Sequence, residues 1–410
     1  MPSIAVIGGG AAGFFSSISI ANNSKYKVVL LEKSSNLLSK LKISGGGRCN
    51  VTHHLFNPVE FSKRYPRGSR ELQYAFQKFG SQDTVDWFQK HGVELKAESD
   101  GRMFPVTDRS ETIIECLVWE AKRNHVDILT DQDVISIRKQ ESGSFQIEWK
   151  NGDRREFHSL VLATGSSRQV WKWLEAMGHR IVEPVPSIFT FKIQDPRLID
   201  MSGVTVPNVG LNLPQFKIKS QGPLLVTHWG LSGPAILRLS AWAARELFES
   251  GYKADLTINF LPEYNLIEIR DLFAKWKKDH PKKTIGSIPS FILFPKRYWE
   301  NLLNVLSIPK EKLWSNVGSA ESNRLADELG NANFSIQGKG EFKEEFVTAG
   351  GIHRKDVNFS TMESKIVPGL YFAGEILDVD GITGGFNFQN AWTTAWIAAE
   401  SINKTNPIQV

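Results

Sequence analysis

The sequence predicts an α/β protein in which one parallel-sheet domain is interrupted by a β-rich insertion and a helical one. Three observations predict it. A β-branched run, Ser3 to Ile7, enters a glycine-rich turn and an apolar helix. Leu160-Val161-Leu162-Ala163 is the fully apolar run of a buried parallel strand. Helix and strand signals return near the C-terminus, beyond a stretch punctuated by prolines.

Taken in order, Ser3 to Ile7, Gly8 to Gly13, Phe14 to Asn22 and Lys27 to Leu31 read as strand, tight turn, helix and strand. Asp108-Arg109-Ser110-Glu111 places an acceptor three residues before a Glu, which predicts a capped helix to about Arg123 and then a strand from Val126 to Leu129. Val134 to Arg138 and Phe145 to Trp149, with turns at Glu141-Ser142-Gly143-Ser144 and Asn151-Gly152-Asp153, predict an antiparallel meander. Pro184, Pro186, Pro196, Pro207 and Pro214 mark a boundary. The first domain then comprises 1–186 and 346–410, and a β unit comprises 187–261 and 316–345. Helical spacing in Leu266 to Trp276 and around Tyr298 to Leu306 makes 262–315 a helical insertion. Gly369 to Gly374 reads as a strand, and Phe388 to Ile402 as a closing helix rich in Ala and Trp.

Composition narrows the function. Of 410 residues, 41% are hydrophobic and 23% charged, the profile of a soluble globular protein. A net charge of +5 mildly favours anionic ligands. The densest basic stretch, Lys275 to Lys283, is broken by Asp279, His280 and Pro281, which argues against nucleic acid and for a solvated basic face; the partner expected is a small-molecule substrate. Cys49 and Cys116 stand too far apart for a C-x-x-C dithiol centre, and so low a cysteine count suits a reducing cytoplasm. The N-terminus lacks a basic start and no apolar run nears the roughly 20 residues of a membrane span, so a cytoplasmic location without membrane contact is expected. The histidines show no metal-ligand spacing.

Gly8-x-Gly10-x-x-Gly13 follows a strand, opens a helix and is followed by Glu32 at the end of the next strand: the context of a Rossmann-like dinucleotide site. Gly8 permits the turn, Gly10 lets a pyrophosphate approach, and Gly13 lets helix and strand pack. The helix start supplies unpaired N–H groups, and Glu32 takes the ribose hydroxyls. Ser44-Gly45-Gly46-Gly47-Arg48-Cys49-Asn50 offers close backbone approach and then a cation, a thiol and an amide; Cys49 reads equally as a redox thiol and as a small buried filler. Gly384-Gly385 precedes the last helix, where N–H groups suit an anionic acceptor.

These blocks, with Gly101-Arg102-Met103-Phe104-Pro105, Thr227-His228-Trp229-Gly230-Leu231-Ser232-Gly233-Pro234-Ala235, and Thr361 to Lys365 through Gly374-Glu375, Asp378-Val379-Asp380-Gly381 and Gly384 to Gln389, resemble a bacterial flavoprotein family. That family includes aminoacetone oxidase and proposed bile-acid reductases, and the resemblance covers nearly the whole chain. It implies a Rossmann-like, glutathione-reductase-type FAD domain with an antiparallel meander, interrupted by a β-barrel-like and a helical insertion. FAD is then held noncovalently by Gly8, Gly10, Ala11, Ala12, Gly13, Glu32, Lys33, Lys40, Ser44, Gly45, Gly47, Arg48, Cys49, Asn50, Val134, Ala163, Thr164, Gly165, Gly374, Glu375, Gly385, Phe386 and Asn387. One departure is visible: after Ala163-Thr164-Gly165 the chain runs through Ser166-Ser167-Arg168 to Trp171, where many relatives carry a longer glycine-rich segment.

The function expected is hydride transfer at flavin N5 to or from a small organic substrate, with Arg48, Arg102 and His228 as catalytic candidates. An FAD-dependent RNA-modifying protein and a noncatalytic flavin sensor are the alternatives. No second glycine fingerprint opens a helix, so NAD(P)H is expected only as a transient donor docking over the flavin.

Overall fold

The computed structural model describes residues 2–22, 26–340 and 347–405, and the expected junction at 345/346 lies outside them. The chain divides into two units, Met1–Pro184 with Val347–Val410, and Val185–Phe346. Among the described residues no helix is long and apolar enough to cross a membrane.

In the first unit, strands β1 (Ser3–Ile7), β2 (Lys27–Leu31), β3 (Asp127–Leu129), β4 (Ser159–Leu162) and β5 (Leu370–Phe372) are parallel, in the order β5-β4-β1-β2-β3. Val6 pairs with Leu30 on one side and Val161 on the other, and all of β4 is buried, as its unbroken apolar run requires. Glu363–Ser364 and Val357–Asn358 add antiparallel beyond β5. The order reverses at β1, where one crossover leads toward β2 and the next return is to β4. Crossovers that diverge from one point leave a crevice at the carboxyl ends of the strands.

Helix α1 (Ala11–Ala21) packs on the C-terminal helix Phe386–Lys404, whose alanines and Trp392 are buried. Phe15 of α1 lies 5.4 Å from Trp392, 5.6 Å from Phe79 and 4.8 Å from Trp87, ring to ring. The meander forms as Val134–Lys139, Phe145–Trp149 and Arg154–Phe157. The helix Ser110–Arg123 also forms, but its N-cap is Arg109, without a side-chain cap bond. Asp108, at φ 53°, instead gives its carboxylate to Lys96 and lies 3.5 Å from Arg48. Two cations outweigh one capping N–H.

The second unit holds a seven-stranded sheet in the order Ala332–Ile336, Ala254–Asn259, Thr205–Leu213, Ile218–Thr227, Gly230–Ser232, Phe191–Lys192 and Gly338–Lys339. The helices Leu266–Asp279 and Lys296–Val305 share its core: Phe273, Trp299 and Trp314 belong to the same buried cluster as Leu211, Ile258 and Leu325.

One buried carboxylate ties distant parts of the first unit together. Asp356, 4% exposed, accepts from the Arg180 N–H at 2.8 Å and from its guanidinium. Those bonds hold its carboxyl below the ordinary range. A depressed carboxylate stabilises the fold above its unfolded pKa of about 3.9, and the contribution disappears as pH falls through the folded value. Asp356→Asn is expected to cost about 1.5–3 kcal/mol at neutral pH, with the gap to the parent closing below about pH 4. Thermal melts across that range check it; a gap independent of pH overturns the assignment.

Candidate functional site

The glycines after β1 stand where they do for different reasons. Gly8 has φ 114°, and a Cβ there would overlap the Ala163 carbonyl oxygen. A Cβ at Gly13 would overlap the Gly8 carbonyl, so α1 sits directly on the end of β1 only because none is present. Gly10 is unlike both. Its φ of −90° and ψ of −172° suit any residue, and no atom of the chain lies within 4 Å of the position a Cβ would take. Neither strain nor crowding within the chain calls for glycine there. The position is open beside the start of α1, where the helix N-terminus is suited to a pyrophosphate. Ala11 and Ala12 form the first turn behind it.

The other strand ends converge on the same edge. The Glu32 carboxylate accepts from the Gly9 N–H at 2.7 Å and from the N–H and Oγ of Ser34 at 3.0 Å, tying the turn to the end of β2; the Lys33 side chain is exposed. Gln132 N–H donates to the Glu32 carbonyl at 2.8 Å, which carries buried Val134 to the start of the meander nearby. Past β4, Ala163 N–H donates to the Ile7 carbonyl at 2.9 Å, Gly165 takes φ 59°, and the helix Arg168–Ala176 begins three residues later. Thr164 lies between the two. The short loop noted in the sequence is thus closed off by a helix, whose Trp171 donates to the Ile376 carbonyl at 3.1 Å. Past β5, Gly374 has φ 76°, and a Cβ there would stand 2.9 Å from that of Ala12. Glu375 accepts from the Thr348 N–H at 3.0 Å and pairs with Lys40 at 2.5 Å.

The segment Ser39–Gly47 is a helix broken at Ser44, with Gly45, Gly46 and Gly47 at φ 57°, 71° and 83°. Gly45 is held against Phe104, whereas Gly46 and Gly47 have no chain atom within 4 Å of a Cβ position. The Ser44 carbonyl accepts from the Cys49 N–H at 3.1 Å. Cys49 is fully buried at φ 62°, and burial pushes its thiol up to about 12. Arg48 lies 4.0 Å above the Phe104 ring and donates to Glu98 Oε1 at 2.6 Å. Arg102 donates to Glu98 Oε2 and to Asp100, both at 2.7 Å. One carboxylate therefore joins the two arginines named as candidates. His228 belongs to the second unit, exposed on the turn between Ile218–Thr227 and Gly230–Ser232.

At the C-terminal helix the structure adds residues that sequence reasoning missed. With its amide turned to satisfy both neighbours, Asn50 accepts from the Gly385 N–H and donates to the Thr52 carbonyl, each at 3.0 Å. The Gly385 N–H, expected to be available to an acceptor, is therefore engaged by Asn50. Thr52 donates to Gln389 at 2.6 Å, Trp392 to the Val51 carbonyl at 3.0 Å, and Tyr65 to the Phe386 carbonyl at 2.5 Å. Asn387 exchanges two 2.9 Å bonds with Gly381. His53 stacks on Phe386 at 4.7 Å and sets Nδ1 3.0 Å from the Gly384 carbonyl; burial holds its pKa below the ordinary value. Arg67 donates to fully buried Asp380 at 2.6 Å. The Asp378 to Gly381 and Gly384 to Gln389 blocks and Asn50 were the signals for this group, and they do not name Thr52, His53, Tyr65, Arg67 or Trp392 as its other members.

Gly10→Val is expected to fold with a melting temperature near the parent's and to lose FAD roughly tenfold or more, since the added side chain meets ligand and not protein. Flavin absorbance of the purified variant checks it, and full occupancy overturns the pyrophosphate assignment. Cys116, like Cys49, is buried with its thiol pushed up to about 12. Neither should react with a disulfide reagent at about pH 8 in the folded protein, and both should react once it is unfolded. Fast labelling of folded protein contradicts an inert Cys49.

Residues 2–401 match the family described as HI0933-like protein Rossmann domain. The chain is 30% identical to a ribosomal RNA dihydrouridine synthase of Escherichia coli, over 97% of each chain. It is 28% identical to a 3-dehydro-bile acid delta(4,6)-reductase of Clostridium scindens, over 98% of this chain and 99% of that one. In fold it is similar to a 3-ketosteroid-delta4-(5alpha)-dehydrogenase from Rhodococcus jostii, at a TM-score of 0.51 and 14% identity, covering 98% and 96%. The carboxyl-edge cradle around Gly10 and the match along nearly the whole sequence lead to one conclusion: the chain belongs to the HI0933-like Rossmann family, a family of FAD-binding oxidoreductases.

Proposed function

We propose that this chain is a flavin-dependent reductase that saturates a carbon–carbon double bond conjugated to a carbonyl, and that its substrate is uridine within ribosomal RNA. The observation that carries the direction of reaction is the bond change shared by two relatives' names. Making dihydrouridine saturates the C5=C6 bond conjugated to the C4 carbonyl of uracil, and a delta(4,6)-reductase saturates a diene conjugated to a ring ketone. Support for RNA comes from a second ribosomal RNA dihydrouridine synthase, of Haemophilus influenzae, at 28% identity over 97% of this chain, and from the net charge of +5.

FAD, when bound and reduced, supplies the hydride from N5. In this reading the chain's own groups do the rest. The strand-end glycines seat the dinucleotide, and Arg48 with Arg102, aligned by Glu98, faces the carbonyl oxygen on which negative charge develops. NAD(P)H docks transiently as the electron source, because the sequence has one glycine fingerprint and not two.

A steroid-like substrate is the second reading, favoured by the near full-length similarity to the bile-acid enzyme. The test offers photoreduced protein, without oxygen, either unmodified ribosomal RNA or a 3-keto-4,6-diene steroid. Reoxidised flavin together with a gain of two hydrogens on a uridine is the expected result. Reoxidation by the steroid alone transfers the assignment to the second reading, and reoxidation by neither overturns double-bond reduction.

A further inference from the structure

The end of the helix Leu266–Asp279 carries positive charge that the fold does not use. Lys275 and Lys278 are exposed on its last turns, the chain reverses at His280-Pro281, and Lys282 and Lys283 are exposed on the return. Backbone bonds from Ile285 to Lys312 and from Gly286 to Lys310 lay this return along 310–315, where Lys310 is also exposed. Four other cations of the same unit are paired: Arg197 with Asp195 and Glu328, Arg270 with Asp327, Lys296 with Glu300, and Lys312 with Glu321. Among the described residues, Lys275, Lys278, Lys282, Lys283 and Lys310 make no ion pair, although Asp279 and Glu311 are interspersed with them.

Helix polarity explains part of this. Lysines in a last turn oppose the negative end of the helix dipole. It does not explain Lys282 and Lys283, which lie beyond Pro281 and return beside Trp276, a ring whose inner side packs against Phe291 and the core of the unit. The Trp276 ring is half-buried, the His280 ring lies 4.0 Å from it, and Lys283 Nζ stands 5.0 Å from its centre. The Asp279-His280-Pro281 break that counts against nucleic acid in the sequence is a chain reversal that returns Lys282 and Lys283 beside the helix end, and lysines so gathered match the chemistry of an RNA strand, whose phosphates take the cations. Their mutual repulsion is relieved by a polyanion.

We infer that Lys275, Lys278, Lys282, Lys283 and Trp276 form a docking surface for an RNA backbone. The inference rests on the ribosomal RNA reading above and adds the surface that holds the RNA.

The experiment uses the full FAD-loaded chain and in vitro-transcribed ribosomal RNA. Affinity is measured against salt for the parent, for K275E/K278E/K282E/K283E, for W276A, and for K90E/K122E/K150E/K172E as a control of equal charge change. The patch variant should lose at least tenfold in affinity, and its slope of log affinity against log salt should fall by about 2 to 3, the release expected for four phosphate contacts. W276A should weaken binding with the slope unchanged. Equal flavin content and photoreduction establish that the first unit is folded in every variant, and a parent-like circular dichroism spectrum and melting profile establish it for the second. Parent-like binding by the patch variant, or an equal loss in the control, overturns the surface and leaves the RNA reading intact. A parent that neither binds nor modifies the RNA overturns both.

Discussion

The closeness of α1 to the end of β1 is the constraint on which the candidate site depends. The Gly13 position touches the Gly8 carbonyl and the Gly8 position touches that of Ala163, so a helix start and two strand ends occupy space that a pair of methyl groups would take. This contact aims the N-terminus of α1 at the point where the strand order reverses. The positive end of a helix dipole, placed over a crevice between diverging crossovers, is suited to the diphosphate of a dinucleotide. Glu32, bound to Gly9 and Ser34, holds the turn in register with β2.

A second set of contacts sets the Ser44 to Asn50 loop beside that edge. Asn50, Val51, Thr52 and His53 each bond the start of the C-terminal helix, and Tyr65 caps the Phe386 carbonyl from another direction. Most of these groups are buried, so each bond matters more for what its loss would leave unpaired, about 1–3 kcal/mol apiece, than for its own net strength. The loop that carries Arg48 is therefore tied to the helix that also packs on α1. Glycines at Gly46 and Gly47, uncrowded by the chain, remain the accessible part of a segment otherwise locked.

Charge is arranged differently in the two units. Near the strand ends of the first, cations are matched: Arg48 and Arg102 share Glu98, Lys40 meets Glu375, and Arg67 holds Asp380. A matched cation is oriented, which suits a group that must meet one oxygen of a substrate. Lys275, Lys278, Lys282 and Lys283 in the second unit make no ion pair and are exposed, which suits a partner whose phosphates are many and whose position is loosely defined.

Local pattern was enough for much of this. The period of the apolar residues located β1, α1, β2, the meander and the buried strand β4, and the spacing of Gly8, Gly10 and Gly13 marked the turn between β1 and α1 as a candidate dinucleotide site, because each signal lies within one element or one turn. Where Asp108 sends its carboxylate, that Asn50 engages the Gly385 N–H, that Glu98 joins Arg48 to Arg102, and that Phe273 and Trp299 share a core with the sheet were decided by the tertiary structure. Such pairings join residues tens to hundreds of positions apart, and a side chain's choice among several partners depends on which of them the fold brings within hydrogen-bond reach. The sequence by itself determined which chemistry could be present; the folded chain decided which groups meet, because hydrogen bonds and ion pairs act over a few ångströms and local sequence carries no record of that distance.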